Sequence, residues 1–180
     1  MIKTEKTMNA VKRLLLSPGS AVVTGFFCGA ASRFAEYKDS FAEDFTSRLM
    51  LWVLICVFVT LICETRKQAV IFVACFAGAM IVTNFALWYF LSSISEYAPP
   101  TVLRLICWIV FGAFAPVGAM CVYMTKTHNL LTIVLRPAII SVPLLITIIA
   151  FRSVVIPDIV FAAAVTYLIY FKKLGRTDSF

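Results

Sequence analysis

Six apolar runs divide the chain, at about residues 14–32, 49–63, 69–93, 102–124, 129–150 and 153–171, and nearly all charge falls in the gaps between them. Such runs predict membrane-crossing α-helices, because about 20 residues rising 1.5 Å each match a hydrocarbon layer of roughly 30 Å. The second run, at 15 residues, is the short one. At about 22 Å it predicts a span that borrows a flanking turn or sits where the bilayer thins. Strands of a barrel would alternate apolar with polar residues, and open strands would leave backbone groups unpaired in lipid, so all six runs are read as helices.

The gaps alternate in charge. With six crossings, Lys3, Lys6, Lys12, Arg13, Arg66, Lys67, Lys126, Lys172, Lys173 and Arg176 share one side, ten basic residues in all. The other side carries Arg33, Lys38, Arg48, Arg104 and Arg152 against Glu36, Asp39, Glu43, Asp44, Glu96 and Asp158. Basic residues favour the cytoplasmic face. The pattern therefore predicts an all-α polytopic integral membrane protein, a single transmembrane domain over 1–180 with six transmembrane helices and both termini cytoplasmic. A bacterial cytoplasmic membrane is the expected location. Trp52, Trp88 and Trp108 would then fall near the outer interface, where amphipathic rings prefer to sit. The first run is longer than a usual signal-peptide core and holds Pro18 and Gly19 early, so it is read as an uncleaved span.

Composition agrees: 62% of residues are hydrophobic and 14% charged, with a mean hydropathy of +0.96. A soluble domain cannot hide that much apolar surface in one core. The net charge of +7 lies in short juxtamembrane clusters facing the lipid bilayer, and no nucleic-acid partner is expected. All six cysteines, Cys28, Cys56, Cys63, Cys75, Cys107 and Cys121, fall in or at the ends of apolar runs, without C-x-x-C spacing. They read as small buried hydrophobes, with neither a disulfide framework nor a metal site. His128 is the sole histidine, no phosphate loop is present and Ser141 has no evident base, so no cofactor and no catalytic residue is assigned.

The residues out of place carry the functional reading. Ala21, Gly25 and Gly29 stack at four-residue spacing in the first run, and a similar weaker pattern, Gly112, Ala115 and Ala119 with Gly118, sits in the fourth. Such faces let helices approach closely. Packing within the chain and docking of another subunit are both open. Asn84, with Trp88 one turn on, Arg104, with Trp108 one turn on, and Asp158 fall at one outer depth. They are ligand-binding candidates, the competing account being an ion pair between Arg104 and Asp158 with snorkelling. Arg136 lies seven residues into the fifth run and is followed by Pro137 and Pro143. The segment predicts a kinked or locally broken helix, a gating candidate, against an arginine that snorkels to the cytoplasmic surface. The segment from Arg33 to Arg48 is expected as an outer loop, either a lid or a solvated connector.

Six spans, small size, cytoplasmic termini, the Ala21, Gly25 and Gly29 face and the loop from Arg33 to Arg48 together resemble the substrate-binding subunits of energy-coupling-factor vitamin transporters. The resemblance implies that the first helix docks on a transmembrane coupling subunit, that ATPases energise the complex, and that the following loop closes over a small-molecule ligand. The leading expectation is a small-solute binding or transport subunit. The alternative is a non-catalytic accessory or assembly membrane protein that docks on a larger complex, and a lipid-acting intramembrane enzyme is third.

Overall fold

The structure, a computed structural model, describes residues 14–37, 49–94, 102–126, 130–151 and 156–170. The described residues are all helical or lie in turns: α1 (Pro18–Tyr37), α2 (Leu49–Ile62), α3 (Arg66–Ile94), α4 (Val102–Met124), α5 (Leu130–Phe151) and α6 (Ile156–Tyr170). Three segments are long and apolar enough to cross a membrane, Arg66–Ile94, Leu105–Met124 and Thr132–Ile149; Met50–Ile62 and Ile156–Tyr170 are apolar but shorter.

Local chemistry sets the helix ends. Pro18 opens α1, where its missing N–H is no loss, and Ser17 caps it: Ser20 N–H donates to Ser17 Oγ at 3.2 Å. Thr65 caps α3 in the same way, its Oγ1 accepting from Gln68 N–H at 3.1 Å, while Gln68 Oε1 accepts from Glu64 N–H at 3.1 Å. This pair of bonds, close to a capping box but reaching one residue further back, lets α3 start at Arg66, three residues before its apolar run. At 29 residues, or about 43 Å, α3 is the longest element. α1 continues past its run to Tyr37, so Arg33 to Tyr37 are helix rather than loop. The remainder of the expected lid, 38–48, and the basic residues of both termini lie outside the described residues.

The packing is built on α3. Gly25 lies against the backbone at Phe76, Gly29 against that at Met80, and Arg33 reaches Asn84, a constant offset of 51 residues. A constant offset means that α1 and α3 run parallel, so α2 between them must return. Ala21, at the start of the same stripe, is fully buried. The glycine face is thus taken up within the chain. A neighbouring face of α3, about 100° round the helix, meets α4: Gly112 lies under Ile81, while Ala115 and Ala119 pack with Ala77 and Val73. Rising numbers on α4 against falling numbers on α3 make this pair antiparallel. α6 closes on α2 through Val165, Leu168 and Ile169 against Val53, Val57 and Leu61.

The outside is apolar. Val23, Phe27 and Tyr89 are exposed to 55%, 65% and 72%, whereas the inward stripe of α1 is alanine, glycine and serine. Small residues inside and large apolar residues outside are expected of helices packed in lipid, and would leave sticky patches on a soluble protein.

A Cβ on Gly25 or Gly29 would overlap the carbonyl oxygen of Phe76 or Met80, whereas one on Gly78 meets nothing within 4 Å. Gly29→Ala is expected to destabilise by roughly 1–3 kcal/mol through overpacking, and Gly78→Ala to be neutral or slightly stabilising. Thermal unfolding in detergent compares the two. Equal effects would remove the close approach as the organising contact.

Candidate functional site

Two places in the helical bundle differ in size and surroundings, a small cleft beside a buried charge at one end and a large apolar groove elsewhere. The cleft is positioned by the α1–α3 contact. Four residues beyond Gly29, the same stripe delivers Arg33, only 3% exposed. Its guanidinium donates to Glu36 Oε2 at 3.0 Å and to Asn84 Oδ1. A charge so buried is tolerable because its hydrogen bonds are made inside the protein. Beside this pair lies a cavity of about 10 Å³ lined by Ser32, Trp52, Met80, Ile81, Asn84, Phe85 and Trp108. That volume suits one water molecule and no larger solute.

Of the expected outer constellation, the structure brings Asn84 and Trp108 to this cleft. Trp88 lies one turn further along α3, its Nε1 shielded from solvent and without a hydrogen bond among the described residues. Asp158 is fully buried in the first turn of α6, where a negative charge suits the helix N-terminus, but it does not line the cleft. Arg104 belongs to α4, its side chain lying outside the described residues. The spacing pattern missed Arg33 and Trp52. Trp52 is only 3% exposed and packs on Phe76 with ring centroids 6.3 Å apart, so it is a core residue. Arg33 was legible as the next step in the Ala21, Gly25, Gly29 series.

The opposite end of α4 gathers cations. Lys126 Nζ donates to the Cys63 carbonyl at 2.6 Å and lies 4.5 Å from the Tyr123 ring centroid, and Arg66 donates to Met120 Sδ. Tyr123 OH donates to the Glu64 carbonyl at 2.7 Å. Arg136 reaches the same end, donating from a guanidinium nitrogen to the Thr125 carbonyl at 3.4 Å and lying 5.5 Å from the Tyr170 ring centroid. α5 runs unbroken through Pro137 and Pro143, so the expected local break is absent. Arg136 instead extends toward the carbonyls that end α4, where a cation is favoured.

Between α2, α4 and α5 lies the groove, about 470 Å³, lined only by apolar residues including Cys56, Phe114, Gly118, Cys121, Leu135 and Pro143. Phe114, Val117 and Val142 are more than half exposed along it, so it opens sideways. Its walls offer no nucleophile–base pair, and among the described residues no cluster of histidine, cysteine and carboxylates could hold a metal ion.

Asn84→Ala removes a partner of a buried cation and is expected to cost about 1.5–3 kcal/mol. A double-mutant cycle with Arg33→Ala in detergent unfolding should give a coupling energy above about 0.5 kcal/mol; additive effects would dissolve the pair. No protein-family model, curated protein or solved structure matches the chain.

Proposed function

We propose that this chain is a six-span integral membrane protein, with both termini on the basic, cytoplasmic side, that serves as a ligand-binding subunit without catalytic chemistry of its own. The groove between α2, α4 and α5 carries the reading. Its volume of about 470 Å³ falls within the roughly 300–1,000 Å³ usual for small-molecule sites, whereas the cleft at Asn84 accommodates little beyond a water. The ligand is therefore apolar along most of its length and sits at membrane depth, while Arg33, Asn84 and Trp52 hold helices together. The gathering of Arg66, Lys126 and Arg136 at one end of α4 supports the orientation. Transport by such a subunit would draw its energy from a partner. Docking on a larger complex through Ala21, Gly25 and Gly29 is disfavoured, because α3 covers that face.

Two measurements check this. Reporters active only in the cytoplasm should work when joined before Met1 or after Phe180 and fail when inserted at Asp44; the reverse pattern overturns the orientation. Protein purified from its native membrane should carry an apolar molecule detectable by mass spectrometry. Gly118→Leu, whose side chain enters open space in the groove, should lose most of it while keeping its helical content. A wild-type protein that carries none, or a variant that carries as much, defeats the reading.

A further inference from the structure

We infer that the groove takes an anionic phospholipid of the cytoplasmic leaflet, with one acyl chain lying between α4 and α5 and the phosphate at Arg136. The inference rests on the groove being the ligand site and adds the ligand's class. Its first support is shape. The α4 wall extends from Cys107 to Val122, about 22 Å along the helix, or over two-thirds of a hydrocarbon layer of roughly 30 Å. An occupant of a groove this long is an extended chain rather than a compact ring system. All its lining side chains are apolar, so the chain needs no polar substituent between its ends.

The second support is charge. Val122 and Leu135 mark the basic end of the groove, and Thr125, whose carbonyl accepts from Arg136, lies three residues beyond Val122. Two of the cations there donate to neutral acceptors, Arg136 to a carbonyl at 3.4 Å and Arg66 to a thioether. Neither acceptor cancels the charge of its donor. Arg136 is the less committed of the two: its Nε is shielded from solvent and makes no hydrogen bond among the described residues, and its other contact is the Tyr170 ring. A guanidinium presents a planar fork that matches phosphate oxygens. An anionic head at this end and a tail in the groove would satisfy both features with one molecule, and the open side along Phe114, Val117 and Val142 admits it from the bilayer.

The test is native mass spectrometry of the full chain released from nanodiscs of equimolar phosphatidylglycerol and phosphatidylcholine. Wild-type protein should retain phosphatidylglycerol about fivefold over phosphatidylcholine, the factor expected of one cation near an anionic surface. Arg136→Gln should retain both lipids equally at undiminished total, and Arg136→Lys should restore most of the preference, which a merely structural defect would not. Gly118→Leu should lose both lipids. Inorganic phosphate should not displace the lipid, and displacement by it would overturn the lipid assignment in favour of a free anion. If Gly118→Leu empties the groove but wild type and Arg136→Gln retain the two lipids alike, the head-group assignment falls while the groove remains a ligand site. If Gly118→Leu changes nothing, or if crosslinking from Cys107 and Cys121 in native membranes captures a protein helix instead of lipid, both readings fall.

Discussion

The bundle depends on the backbone-to-backbone approach of α1 to α3. In lipid no hydrophobic force drives one helix against another, because acyl chains are as apolar as leucine, so association relies on close packing and buried hydrogen bonds. Gly25 and Gly29 supply the first by leaving no side chain between the helices. Arg33 and Asn84 supply the second at the end of the same stripe. Because the three contacts share one offset, α1 is fixed in direction and height at once. The turn at Cys63–Thr65 can then be short, and α2 fills the return path beside α3.

The two ends of the molecule treat charge differently. At the α1 end a buried arginine is held by a carboxylate and an amide oxygen in a cleft too small for a solute, which makes it a structural element. At the other end Arg66, Lys126 and Arg136 rest on carbonyl, thioether and aromatic groups.

The groove follows from how α4 divides its small residues. Gly112, Ala115 and Ala119 are spent on α3, while Gly118 faces away from that contact and meets nothing within 4 Å. α5 is the least buried of the three long apolar helices, and the space between it and α4 stays open. Continuous helix through Pro137 and Pro143 is compatible with this, since lipid-facing helices tolerate proline where neighbours and local adjustments accommodate the freed carbonyls, here those of Ile133 and Ile139.

By itself the sequence determined the helical class and the places of the helices, because apolar length and the confinement of charge to gaps are properties of the chain that lipid reads directly. It also marked the small-residue faces and Asn84, since a glycine repeat or a polar residue in an apolar run stands out without any partner. Only the tertiary structure decided what those residues meet. Whether Ala21, Gly25 and Gly29 face another subunit or α3 depends on a partner 51 residues away, which periodicity within one helix cannot encode. Arg136 reads identically as a helix breaker or a snorkelling cation until Thr125 and Tyr170 are placed around it. The groove is legible in no single segment: its walls come from three helices, each of which looks from its own residues like an ordinary lipid-facing span.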